Sequence, residues 1–217
     1  MRPLTTLLFD LDGTLTDPEP GITGSIRYAL ERLGAPEQEH AELRACIGPP
    51  LRKNFARLLA TDDAALIEQG VVFYREHFSA TGLYQNELYP GITDALAAIR
   101  DSGRRLFVAT AKPIIFAVRV LEHFALTEYF DGVYGSELDG GFDNKGDLIE
   151  EMLRRESIDA GSAAMIGDRR EDMVAAKRNG VMAAGVLYGF GSEEELREAG
   201  ADILIDRPHD IVGRLLG

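Results

Sequence analysis

Short apolar runs that stop abruptly at polar or glycine residues constrain this chain more than any other feature. Runs at 6–9, 106–109, 132–134, 163–166 and 183–187 read as buried strands, with 203–205 as a sixth at an edge. Between them, apolar residues recur with helical period over 92–99, 115–123, 148–155, 170–178 and 193–199. A strand covered on both faces reads as an unbroken apolar run. Such strands alternating with helices predict an α/β fold, a parallel sheet with helices on both faces.

One interval breaks the alternation. From about 21 to 83 no strand pattern occurs. Ile22, Ile26, Ala29, Leu30 and Leu33 form one helical stripe that ends at Gly34. Leu51, Phe55, Leu58 and Leu59 form a second, and Leu66, Val72, Phe73 and Phe78 a third. Pro90-Gly91 marks the return to the α/β pattern. The expected organisation is therefore a core of 1–16 and 84–217, with an all-helical insertion at 17–83 between the first two strands.

A chain of 217 residues has room for both parts. Its net charge of −13 argues against a nucleic acid polymer or an anionic membrane as partner, since both need a basic face. No apolar stretch is long enough to span a bilayer. The first apolar run is short and ends in acids, unlike a secretory leader. The single Cys46 forms no internal disulfide. These features predict a cytoplasmic protein. None of them excludes a small phosphorylated substrate, which needs only local cations.

The chemistry concentrates at the ends of the apolar runs. The first is followed by Asp10-Leu11-Asp12-Gly13-Thr14-Leu15-Thr16-Asp17. Two carboxylates this close repel each other and are costly to desolvate unless a cation sits between them. Gly13 lets the backbone turn sharply beside it. The segment reads as a hard-metal and phosphate site with a nucleophile, or as a solvated acidic turn. Thr110, in Ala109-Thr110-Ala111-Lys112-Pro113, offers a hydroxyl and nearby amides to an anion, or caps a helix. Lys145, after Asn144, sits at a helix start, where a cation opposes the macrodipole unless an anion lies between. Asp168 ends the run in Met165-Ile166-Gly167-Asp168, and Asp172 follows one turn later on the same face, where acidic residues commonly cap a helix. In an open parallel sheet, strand ends at the topological switch point share one crevice, so Asp10, Thr110 and Asp168 should converge. His40, His77, His123 and His209 are scattered, with no metal-ligand spacing and no triad partner.

Together these segments resemble the haloacid dehalogenase-like superfamily of phosphatases and phosphotransferases over essentially the whole chain. The resemblance implies a Rossmann-like core with a helical cap and a Mg²⁺-dependent phosphomonoesterase. It implies that Asp10 is the nucleophile, Asp12 the general acid and base, and Thr110 and Lys145 the phosphoryl-binding side chains. Asp10, Asp12, Asp168 and Asp172 are the implied metal set. At Ala111, where relatives often carry Asn or Ser, only the main-chain amide is left to bind substrate. Arg169 and Ala175 depart from the small hydroxyl and glycine residues common in relatives, and neither change removes a catalytic group.

In the insertion, Ile47-Gly48-Pro49-Pro50-Leu51 would present Arg52 and Lys53 from a rigid turn, toward substrate or as solvated loop cations. That turn, the Thr110 to Pro113 segment and Gly185-Val186-Leu187-Tyr188-Gly189-Phe190-Gly191-Ser192 resemble the 5′-nucleotidase-like and phosphoglycolate phosphatase-like branch. A nucleoside 5′-monophosphate is the expected substrate, with 2-phosphoglycolate or another small phosphometabolite as the alternative. A phosphomutase and a non-catalytic phosphate-binding protein rank below these. The insertion lacks the helix pattern of hexose mutases, and all four motif groups are present.

Overall fold

The computed structural model describes residues 3–216 and divides the chain into two compact units. One comprises the chain up to Asp17 together with Leu88 onward. The other runs from Pro18 to Glu87. The second unit thus extends a few residues past 83. The short 3-10 turn Gly82–Tyr84 belongs to it, and the Gly21 N–H donates to the Gln85 carbonyl at 3.1 Å.

The strands are β1 (Thr6–Phe9), β2 (Thr16–Asp17), β3 (Glu87–Leu88), β4 (Arg105–Pro113), β5 (Gly132–Ser136), β6 (Ala163–Gly167), β7 (Met182–Val186) and β8 (Ile203–Ile205). Six of them form one parallel sheet in the order β5-β4-β1-β6-β7-β8. β2 and β3 form a separate two-stranded sheet. The fold is the expected α/β arrangement, with β8 at an edge. β1 lies at the centre between β4 and β6, where strand order reverses and a crevice opens at the strand ends. Its four residues are fully buried or nearly so.

The helices are α1 (Glu19–Arg32), α2 (His40–Arg44), α3 (Leu51–Leu58), α4 (Ala64–Ala80), α5 (Ile92–Asp101), α6 (Ile114–His123), α7 (Lys145–Arg155), α8 (Arg170–Arg178), α9 (Glu193–Glu198) and α10 (Asp210–Leu216). On one face of the sheet, Leu8, Phe107 and Met165 pack with Ile149 and Met152 of α7 and Met173 and Ala176 of α8. Each of the Leu, Ile, Phe and Met side chains among them, fully buried, contributes about 1.5–3 kcal/mol of transfer free energy, which fixes how α7 and α8 sit against the strand ends.

Two sequence expectations need correction. β4 does not stop near 109 but continues to Pro113 through an irregularity. Thr110 pairs with Gly135 and Pro113 with Ser136, so Ala111 and Lys112 stand out of register. α6 begins only at Ile114, so Thr110 is not its cap. In the helical unit, the stripe buried on α4 is Val71, Tyr74 and Phe78 beside Gly70, whereas Val72 is 59% exposed. Residues 71, 74 and 78 share a face at helical spacing, and 72 is turned away from them. A Cβ on Gly70 would meet the Phe55 ring at 2.8 Å, so glycine there lets α3 and α4 approach closely.

Candidate active site

The site lies in the α/β unit, at the carboxyl ends of β1, β4 and β6 and the first turn of α7. The β1 ladder runs one step beyond the strand, through the Asp10 N–H to the Ile166 carbonyl at 2.9 Å. The chain then closes a tight turn. The Leu15 and Thr16 N–H groups return to the Leu11 carbonyl, and the Gly13 N–H bonds the Thr16 carbonyl at 2.8 Å. Gly13 takes φ +85°, a conformation that disfavours any side chain. A Cβ there would stand 2.2 Å from an Asp168 carboxylate oxygen, so the turn and Asp168 are in intimate contact.

Asp10 is buried. One of its oxygens accepts the Leu11 N–H at 2.7 Å, and the other lies 2.9 Å from the Lys145 ammonium. Lys145 is the first residue of α7, behind an Asn144 cap that accepts the Gly146 N–H at 2.8 Å. Its ammonium also pairs with Asp172. These two carboxylates supply the anion that a lysine at a helix N-terminus requires. Burial works against the lysine's charge, but Asp10 and Asp172 outweigh it and push the ammonium pKa up.

Asp168 and Asp172 are fully buried. The Phe190 N–H donates to Asp168 at 2.8 Å, and the Thr14 hydroxyl lies 3.5 Å from its other oxygen. Burial raises the Asp168 carboxyl well above the ordinary range, and the charges of Asp172 and Asp10 add to this. Asp172 accepts the Arg169 N–H at 3.0 Å, so it also caps α8. Burial pushes its carboxyl up to about 7, against the pull of Lys145. One oxygen each from Asp10, Asp168 and Asp172 lie within 4.8 Å of one another.

Asp12 pairs through Oδ2 with the Lys112 ammonium, while its buried Oδ1 has no hydrogen-bond partner among the described residues. Burial raises the Asp12 carboxyl despite Lys112. Thr110 is buried at the bulge in β4, and its hydroxyl accepts the Lys112 N–H at 3.2 Å. The Ala111 carbonyl accepts from the Ser136 hydroxyl at 2.8 Å.

Asp10, Asp12, Asp168 and Asp172 thus face Lys112 and Lys145: four acids less two lysines leaves two negative charges. The nearby Arg169 is paired with Glu195 at 3.0 Å. Buried carboxylates without countercharge are too costly to keep ionised. A hard divalent cation with oxygen ligands closes this balance and suits the donor set.

The sequence reading singled out neither Lys112 as a partner of Asp12 nor the loop after β7 as part of the site. That loop wraps Asp168. A Cβ on Gly189 would stand 2.4 Å from Asp168 Cβ, and one on Gly191 2.0 Å from the Asp168 carbonyl. The Tyr188 hydroxyl donates to the Thr14 carbonyl at 3.0 Å. The spaced glycines of 189 and 191 were the available signal. Arg52 and Lys53 lie on α3 of the helical unit. Arg52 pairs with Glu68, and Lys53 is exposed.

The model of the haloacid dehalogenase-like hydrolases matches residues 7–186, a span that contains every residue of this cluster. The chain belongs to that family. A 5′-nucleotidase of Pseudomonas aeruginosa is 49% identical over 88% of this chain and 86% of its own. A phosphoglycolate phosphatase of Vibrio cholerae is 28% identical over 95% and 94%. A solved structure described as a predicted phosphatase from Clostridium acetobutylicum superposes with a TM-score of 0.94 at 38% identity, covering 99% of both chains. This haloacid dehalogenase-like protein is a phosphoric monoester hydrolase. Among its described residues, no helix is long and apolar enough to cross a membrane.

Proposed function

We propose that this phosphatase depends on Mg²⁺, forms an aspartyl-phosphate on Asp10 and acts on nucleoside 5′-monophosphates. The observation that carries the chemistry is the Asp10 carboxylate, fixed between the Leu11 N–H and Lys145 and flanked by Asp12. An Asp10 oxygen attacks phosphorus in line, the new O–P bond forms, and the ester P–O bond breaks. Asp12 gives its proton to the departing oxygen. It then takes a proton from the water that attacks phosphorus and releases Asp10 and phosphate. Thr110, the Ala111 amide and Lys145 bind the remaining phosphoryl oxygens.

The residues that would hold Mg²⁺ are Asp10, Asp168 and the Asp12 carbonyl, with Asp172 behind them. The ion supplies charge compensation for the phosphoryl oxygens. The two surplus negative charges of the buried cluster support this assignment.

The substrate rests on similarity. The relative named a 5′-nucleotidase is 49% identical, against 28% for one named a phosphoglycolate phosphatase. Of the two cations Arg52 and Lys53, Lys53 is the one that the helical unit would offer to the nucleotide, because Arg52 is paired with Glu68. Phosphate release from the common nucleoside 5′-monophosphates and from 2-phosphoglycolate, under one Mg²⁺ concentration, tests the reading. The best nucleotide should exceed phosphoglycolate in kcat/KM by at least about ten-fold, the scale of ordinary pocket discrimination. A preference for phosphoglycolate over every nucleotide overturns the nucleotide assignment and leaves the phosphatase chemistry in place.

A further inference from the structure

The β4 bulge delivers Lys112 to Asp12. Two residues of β4, Ala111 and Lys112, stand between Thr110 and Pro113, where β5 advances by only one residue, from Gly135 to Ser136. Bulges beside active sites redirect a side chain that regular strand geometry would aim elsewhere. This one is braced. The Thr110 hydroxyl accepts the Lys112 N–H, and the Ser136 hydroxyl bonds the Ala111 carbonyl at 2.8 Å. A Cβ on Gly135 would stand 2.6 Å from the Lys112 carbonyl and 2.9 Å from the Ile114 nitrogen, so only glycine lets β5 pass so close.

The delivered side chain is deeply buried, 5% exposed, and its ammonium grips only Oδ2 of Asp12. The other oxygen, Oδ1, is buried without a partner. An ammonium has donors only, so the carboxyl oxygen that it holds is the one that stays unprotonated. The proton that Asp12 hands over must then sit on Oδ1.

We propose that Lys112 is a positioning residue that clamps Asp12 by Oδ2 and so fixes Oδ1 as the oxygen that delivers the proton to the leaving group. This rests on the reading of Asp12 as general acid. Lys112 holds the Asp12 carboxyl in one rotamer before substrate arrives, so that the proton, once taken up, sits on Oδ1. The proton passes from Asp12 Oδ1 to the ester oxygen as the P–O bond breaks, and Lys112 keeps its own protons throughout.

The test uses aryl phosphates of similar shape whose leaving groups range from p-nitrophenolate, which needs no proton, to phenolate, which does. kcat/KM is measured with Mg²⁺ for the wild-type protein and for Lys112→Met, Lys112→Gln, Lys112→Arg and Asp12→Asn. A correctly delivered proton makes the wild-type rate insensitive to leaving-group basicity. Lys112→Met and Lys112→Gln should lose little on p-nitrophenyl phosphate but on the order of ten-fold or more on phenyl phosphate, part of the general-acid contribution. Lys112→Arg should recover part of the loss on phenyl phosphate.

A uniform loss across the series in both neutral variants overturns the proposal, because a lost phosphate contact or a damaged fold slows every ester alike. Unchanged rates overturn it as well. If Asp12→Asn itself fails to steepen the dependence, the role of Asp12 falls. If only Asp12→Asn steepens it, the role of Lys112 falls alone. Two neutral variants guard against one that does not fold, and thermal melts identify that case.

Discussion

Both units of this molecule carry ion pairs at the surface, but among the described residues only the α/β unit also buries charged groups. In the α/β unit, Asp168 and Asp172 are inaccessible and Lys145 is 6% exposed. In the helical unit, the ion pairs Arg52–Glu68, Arg57–Glu42 and Arg44–Glu19 lie at the surface. Its buried polar groups, such as Asn54 and Ser25, bond to main-chain carbonyls. Exposed pairs contribute about 0–1 kcal/mol each and can be rearranged freely. Buried ionised groups cost several kcal/mol each to desolvate, and a packed apolar core would often be more stable. A cluster of four acids and two lysines inside a small sheet is therefore retained for what it does. The difference separates the unit that carries the chemistry from the helical unit, whose charges all lie at or near the surface.

The largest effect should come from the centre of the buried cluster. Asp10→Asn keeps the shape and removes the nucleophile, so kcat should fall by at least about a thousand-fold. The melting temperature should not fall, since one of the crowded negative charges is gone. Phosphate release together with a thermal melt checks both parts. Activity within ten-fold of wild type in a folded Asn variant would put the nucleophile elsewhere.

Metal and pH give the next effect, again confined to the α/β unit. Without a cation, burial raises the Asp172 carboxyl from 3.8 to about 7, and it raises the Asp168 carboxyl as well. A folded chain that holds protons which the unfolded chain has released loses stability as pH rises from about 4 through 7. Chelated protein should therefore melt progressively lower across that window. Mg²⁺ should flatten the trend. At one hundred times its dissociation constant it should add about 2.7 kcal/mol, roughly 5–10 °C for a protein of this size. Activity should vanish with chelator and return with Mg²⁺. A melting temperature at pH 7.5 that Mg²⁺ leaves unchanged would show that these carboxyls are not a cation site.

The same contrast explains what the sequence made legible. Strand ends, and the acids and lysine placed on them, announce themselves because a buried strand is an apolar run and a functional residue ends it. Thr6 to Phe9 followed by Asp10, and Ala163 to Gly167 followed by Asp168, are of this kind. The bulge at Ala111 and Lys112 leaves no such mark. Nothing in Thr110-Ala111-Lys112-Pro113 shows that β5 advances by one residue while β4 advances by three. Gly135 is its only trace, and a glycine has many uses. The contact between Gly189, Gly191 and Asp168 was hidden for a related reason, since two loops meet there from distant parts of the chain. In the helical unit the amphipathic pattern revealed the helices. It did not reveal the face that α4 buries, because Val71, Val72, Phe73 and Tyr74 are consecutive and place apolar side chains all round the helix. The choice between faces is made by Gly70, where Phe55 packs.

The smallest effects should come from the surface of the helical unit, where two neighbouring cations differ. Arg52 is tied to Glu68 on α4, whereas Lys53 is exposed and forms no ion pair among the described residues. A cation already matched to a carboxylate has little field left to offer a substrate phosphate, and withdrawing it would cost the existing pair. Arg52→Ala should therefore shift stability by less than about 1 kcal/mol and leave KM for the preferred nucleotide unchanged. Lys53→Ala should leave stability unchanged and raise KM about three- to ten-fold, the value of one partly screened charge contact, with kcat unaltered. Mg²⁺-dependent steady-state kinetics on both variants read the difference. A larger KM effect from Arg52 than from Lys53 would mean that the Glu68 pair opens for substrate. No KM effect from either would return both to the ordinary solvated surface and confine recognition to the buried cluster.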